Sequence, residues 1–217
     1  MDVLYYIGDG SSHHNLELRL SLRTLEKHCK DVERVFIVGN RPEFLQNVEY
    51  FWVEDKGKWY QNAVAKTVAA IKNGISDKFL LMNDDFFLTK DLDENYPYYN
   101  KGDIPETPQN DYYKVVVNTR KYLESIGKPY KHYGVHCPMV IDKDKYMSLE
   151  EHFGKPMSIR CLYGNMFCEG VETKDNKGNE FKQSKQGCFS SKPWAKDVLK
   201  EIEKKYPEPS KWERRDV

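Results

Sequence analysis

The stretch Lys78 to Asp93, KFLLMNDDFFLTKDLD, constrains the fold of this chain more than any other. Phe79, Leu80, Leu81 and Met82 form an apolar run long enough for a strand but too short for a buried helix. A strand this uniformly apolar belongs in a sheet covered on both faces. It runs into Asn83-Asp84-Asp85 and leaves through a second apolar run, Phe86, Phe87 and Leu88. Two adjacent carboxylates beside buried strands need compensation by a cation, a helix N-terminus or a metal ion, because an unpaired buried charge is costly. At the carboxyl end of a strand in an open α/β sheet, ligand binding is the expected use. The competing reading is a solvated turn or an N-cap made by Asp84 and Asp85.

The elements around this stretch read as alternating strands and helices. Val3 to Ile7 is a strand candidate, followed by the flexible GDGSS. Leu16 to His28 carries leucines at helical spacing, Val35 to Val38 is a second strand, and Glu49 to Val53 a short third one. Such an opening starts a parallel α/β sheet. Asn62 to Asn73 reads as a helix ended by Gly74, and Tyr112 to Ile126 as another ended by Gly127. Pro129 to Val135 leads into His136-Cys137-Pro138 and the apolar Met139, Val140 and Ile141. Leu149 to Phe153 reads as a short helix, Ile159 to Met166 as a further element, and Trp194 to Tyr206 as a charged amphipathic helix. The polar stretches 95–110 and 170–187 read as mobile loops, the second alternatively as a hairpin. Residues 207–217 read as a weakly constrained tail.

Composition removes several classes. The 34 basic and 34 acidic residues balance and are interspersed, so no broad basic field argues for tight nonspecific nucleic-acid binding. The five cysteines are widely spaced with no CxxC pair, which argues against a zinc knuckle or a disulfide framework and for a reducing compartment. MDVLYYIGDG lacks a basic leader, and no apolar run approaches membrane-spanning length, so a cytoplasmic protein with no transmembrane segment is expected. Fifteen tyrosines suit a carbohydrate or nucleobase surface as well as ordinary packing.

Few side chains can carry chemistry. Asn83-Asp84-Asp85 has the form of the short acidic motifs that hold a divalent metal against a nucleotide diphosphate, since magnesium and manganese prefer carboxylate and phosphate oxygens. His136 is a candidate general base or metal ligand, with a packed histidine as the alternative. Arg19, Arg23 and Arg160 offer guanidinium donors matched to phosphate oxygens, Arg23 and Arg160 within apolar surroundings (SLRTL, SIRCL). His13 and His14, in a glycine-serine turn, read as solvated. Cys137 is no partner for His136, because neighbours on an extended chain point to opposite faces.

Four segments, in order, resemble the Stealth family of sugar-phosphate transferases, which includes bacterial capsule polymerases and the enzyme that tags lysosomal glycoproteins with N-acetylglucosamine phosphate. They are DVLYYIGDG with the following NLELRLSLRTLEKHC, FLLMNDDFFLTKDL, HCPMVIDKDKYMSLEEHF, and Arg160 in SIRCLYGN. The second is the most specific, and together they span roughly residues 2–165. The resemblance implies a GT-A-like nucleotide-diphospho-sugar transferase fold, mainly parallel, as a single catalytic α/β domain over residues 1–206. It also implies a nucleotide-sugar donor and a divalent metal, Mg or Mn. Asp85 would be the metal ligand; His136, Asp84 and Arg160 would be catalytic; Asp9, Gly10, Arg23 and Asn83 would bind substrate. The acceptor would be a hydroxyl on a polysaccharide, a glycan or modified DNA. Sugar-phosphate transfer and glycosyl transfer both fit these residues. A non-catalytic carbohydrate- or nucleic-acid-binding module on the same fold is the alternative from another class. The chain is shorter than typical family members, and 170–187 has no counterpart in them.

Overall fold

The computed structural model describes residues 1–8, 11 and 13–215. A five-stranded sheet, in the order β3-β2-β1-β4-β7, runs through its middle. Its strands are β1 (Asp2–Ile7), β2 (Val35–Gly39), β3 (Glu49–Phe51), β4 (Lys78–Met82) and β7 (Met139–Asp142). The first four are parallel, and β7 lies antiparallel to β4, so the sheet is mainly parallel as the sequence implies. Alternate side chains leave opposite faces of each strand. Val3, Tyr5, Ile7, Leu80 and Met82 pack on one face with Leu18, Leu22 and Leu25 of α1 (Leu16–His28). Leu4, Phe36, Val38, Phe79 and Leu81 pack on the other, with α2 (Trp59–Lys72), α3 (Asp111–Ser125) and α5 (Ile159–Phe167). Both faces being covered explains why β4 is an unbroken apolar run.

The second apolar run forms β5 (Phe86–Leu88), which leaves the main sheet. It pairs antiparallel with β10 (Cys188–Ser191), and β10 pairs with β9 (Lys177–Gly178). Another small sheet joins β6 (Tyr98–Asn100) to β8 (Gly170–Glu172). The stretch 170–187 therefore contains two strands, β8 and β9, which pair with different partners and not with each other. A hairpin was one reading of this stretch; the structure uses it to tie two distant elements together. The short α4 (Lys143–Met147) follows β7, a 3₁₀ turn covers Glu150–His152, and α6 (Lys196–Lys205) packs its Val198, Leu199 and Ile202 against Leu20 and Phe87.

Residues 210–213 are held in place, contrary to the expectation that 207–217 form a weakly constrained tail. Ser210, Trp212 and Glu213 are buried, and Glu213 bridges Leu45. Among the described residues no helix is long and apolar enough to cross a membrane, and all five cysteines are free.

Topology does the positioning. Because β7 runs antiparallel to β4 with Met139 opposite Leu81, the segment leading into β7 lies beside the carboxyl end of β4. His136 and Asn83-Asp84-Asp85, about fifty residues apart, are neighbours for this reason alone.

Candidate active site at the carboxyl end of the sheet

Asn83 to Phe86 close a β-turn, with the Phe86 N–H donating to the Asn83 carbonyl at 3.2 Å. The turn foreseen as the simpler reading is therefore real, but its side chains are partly covered rather than solvated. The two carboxylates differ. Asp85 Oδ2 accepts from Ser190 Oγ at 2.7 Å and pairs with Lys177 Nζ at 3.1 Å. The β5–β10 register, with Phe86 opposite Ser190, brings these partners to it. Asp84 is pushed up to about 7, first by burial and then by the neighbouring charges of Asp85 and Glu17; backbone N–H groups of the turn offset part of this. Beside it, the Asn83 Oδ1 is buried and has no hydrogen-bond partner among the described residues.

Asn83 opens onto a cleft of about 720 Å³, which also receives His136, Arg160 and Lys101. That volume falls in the ordinary range of small-molecule sites. His136 is held by Asp175 through two bonds: its backbone N–H donates to Oδ1 at 2.9 Å, and ring Nδ1 lies 2.8 Å from Oδ2. Burial works against the ionised Asp175, but the His136 ring and backbone N–H, with Lys101 at 3.4 Å, outweigh it and hold the carboxylate well below its usual range. An ionised acceptor on Nδ1 keeps the proton on that nitrogen, so the neutral ring presents Nε2 as its basic atom. Phe86 meets the His136 ring edge-on, with centroids 6.4 Å apart.

Arg160, in the first turn of α5, braces the same segment from the other side. Its Nε donates to the Tyr133 carbonyl at 2.9 Å and its Nη2 to the Cys137 carbonyl at 2.7 Å. Two bonds leave further donors of the five-donor guanidinium for a ligand in the cleft it lines. The N-cap of that helix is Ser158, whose side chain accepts from the Cys161 N–H.

Arg23 does not join this site. Its guanidinium chelates the buried carboxylate of Glu213 (Nε–Oε1 3.0 Å, Nη2–Oε2 3.1 Å) and donates to the carbonyls of Tyr206 and Pro207. Arg19 also reaches Glu213, at 3.6 Å. The apolar surroundings that recommend Arg23 in the sequence mark a buried clamp on the chain end. Nor is His13 solvated: its side chain is covered, with Nε2 2.6 Å from the Pro193 carbonyl. Asp9 and Gly10, expected at the donor, lie outside the described residues. The structure thus gathers Asn83, Asp84, Asp85, His136 and Arg160 at one end of the sheet and sends Arg23 elsewhere.

Asp175, Lys177 and Lys101 are the partners that sequence reading missed. Asp175 is 39 residues from His136 in a polar stretch, with no local spacing to mark it.

A divalent cation was expected here on Asp85. Among the described residues no group of three or more His, Cys, Asp and Glu side chains is placed to hold one. The oxygen chemistry of Asn83 and Asp84 nevertheless suits such an ion: a carboxylate destabilised by burial and like charge, and a buried amide oxygen lacking a partner. Magnesium in particular takes one or two carboxylates and completes its shell with phosphate oxygens and water. Asp85 fits less well, because its Oδ2 is already matched by Lys177 and Ser190.

No protein-family model matches the chain, and no curated protein sequence does. Among solved structures it is similar to the galactosyltransferase LgtC in complex with donor and acceptor sugar analogues, at TM-score 0.51 and 12% identity, over 97% of this chain and 98% of that one. It also matches the glycosyltransferase GlyE of Streptococcus pneumoniae at TM-score 0.40 and 11% identity, over 81% of this chain and 45% of that one. The first likeness and the sheet order together show a GT-A-like glycosyltransferase fold.

Proposed function

We propose that this chain transfers a sugar unit, as the glycosyl group or the sugar 1-phosphate, from a nucleoside-diphosphate sugar to a hydroxyl acceptor. The observation that carries the proposal is His136, held by Asp175 and lining one cleft with Asn83 and Arg160 at the carboxyl ends of parallel strands. An imidazole oriented by a carboxylate on one ring nitrogen is an arrangement suited to hydroxyl activation.

In this reading the acceptor O–H donates its proton to His136 Nε2 as the oxygen attacks. If the attack is at the β-phosphorus, a new O–P bond forms and the bond to the nucleoside monophosphate breaks. If it is at the anomeric carbon, a C–O bond forms and the nucleoside diphosphate leaves. Asp175 holds the ring and stabilises the imidazolium that results. Arg160 and Lys101 supply positive charge where negative charge builds up on the phosphoryl oxygens. Asn83 and Asp84 would hold a divalent ion, which when bound supplies charge neutralisation for the diphosphate.

Product analysis tests this directly. Incubation with a panel of nucleotide sugars should release nucleoside monophosphate in the first mode and nucleoside diphosphate in the second. Release of neither, from any donor that binds, would remove the proposal.

A further inference from the structure

A single exposed apolar ring is ordinary on a protein surface, and a ring held rigid at the edge of a cleft is the more informative case. Trp59, the first residue of α2, lines the cleft yet remains 48% exposed. It is not loose. One face stacks on Tyr112 at the start of α3, with centroids 5.3 Å apart and planes 29° from parallel, and Tyr60 meets it edge-on at 5.6 Å. Tyr112 stacks in turn on the buried His132 at 6.2 Å. The approach to Trp59 is also fixed. Asn62 pairs with both backbone groups of Gly57, and Gln61 Oε1 accepts from the Lys58 N–H while its Nε2 reaches the Gly154 carbonyl.

The stack is joined to the chemistry. Gly134, two residues before His136, passes so close to Tyr112 Oη and the His132 ring that a Cβ there would collide with both. The aromatic wall and the proposed base are therefore set by one backbone segment, on the His136 side of the cleft. A flat, held indole with one face covered and the rest open suits the C–H face of a pyranose ring, at small cost in side-chain entropy.

We propose that Trp59, backed by Tyr112, is a stacking shelf for the pyranose ring of the acceptor, which makes the acceptor a carbohydrate. The proposal rests on the transferase reading above only in calling that ring the acceptor. Protein labelled with 5-fluorotryptophan has four tryptophan signals to follow by fluorine NMR, and Trp59→Phe identifies the relevant one. Methyl hexopyranosides and methyl N-acetylhexosaminides are titrated in one arm, and nucleoside monophosphates in the other.

At least one pyranoside should shift the Trp59 signal saturably, with Trp59→Ala weakening its binding roughly tenfold. The nucleotides should leave that signal in place. If no pyranoside moves it, or a nucleotide moves it more than any pyranoside, the shelf is overturned. Thermal shift with nucleotide sugars on the same protein separates the two claims. Stabilisation by a nucleotide sugar with a silent Trp59 removes the shelf and keeps the transferase. A pyranoside response without any such stabilisation keeps the sugar shelf and removes the transferase.

Discussion

Asp175 shows how much of this site rests on single side chains. Replacing it with Asn changes few atoms, but the amide N–H would face His136 Nδ1 and favour the tautomer with its proton on Nε2, the atom meant to accept. Asp175→Asn is expected to lower kcat by about 10²- to 10⁴-fold with KM within about threefold. Steady-state kinetics check this, and an unfolding midpoint shared with wild type excludes a merely structural loss. His132 gives a second residue-scale prediction. Burial first, and then the nearby Lys101 charge, lower its pKa to about 4, against about 6.5 for a free imidazole. The unfolded chain therefore takes up this proton first. Stability from neutral His132 is complete above about pH 6.5 and is lost as pH falls toward 4. His132→Phe should flatten that loss by roughly 2–3 kcal/mol, read as the difference between urea unfolding at pH 7 and pH 4.5 in the two proteins.

At the scale of elements, the central sheet was legible because its strands obey simple periodicities. The run 79–82 forms β4, the leucine spacing of 16–28 forms α1, and Gly74 and Gly127 take the positive φ values (81° and 65°) that end α2 and α3. Helix starts were less clear. α2 begins at Trp59, three residues before the expected Asn62, because its capping partner is Gln61 reaching the Lys58 N–H rather than a Ser, Thr or Asp. The small sheets were not legible at all. β9 has two residues and β8 three, and their pairing depends on partners far along the chain that no local pattern announces. The site divides in the same way: Asn83, His136 and Arg160 carry local signals, whereas Asp175 and Lys177 acquire meaning only through β8, β9 and β10. Lys177 suggests a test at this scale. Asp85→Asn should loosen β9 and β10 by removing their ion pair, costing roughly 1–3 kcal/mol, while Asp84→Asn should abolish any Mn²⁺ signal detected by electron paramagnetic resonance without that cost. The reverse pattern would return the cation to Asp85.

For the whole molecule, the chain end matters more than its composition suggests. Glu213 is fully buried and takes Arg23 in a two-pronged ion pair, with backbone carbonyls of 206 and 207 satisfying further donors. Removing Arg23 takes away the two-pronged partner of this buried carboxylate and leaves it the more distant Arg19 and the Ser210 hydrogen bonds. Arg23→Ala is therefore expected to cost about 3–5 kcal/mol in unfolding free energy, while nucleotide-sugar affinity, measured by calorimetry below the unfolding transition, stays within about twofold. A selective loss of donor affinity at wild-type stability would restore Arg23 to phosphate binding. The central sheet, α2, α3 and α5 border a cleft lined by His136, whose ring Asp175 holds. Turnover of a bound nucleotide sugar by wild type and by His136→Gln tests the proposed role of His136 as base most directly. The account predicts at least a hundredfold loss of turnover with donor affinity kept within about threefold. Equal turnover in the two proteins would contradict it.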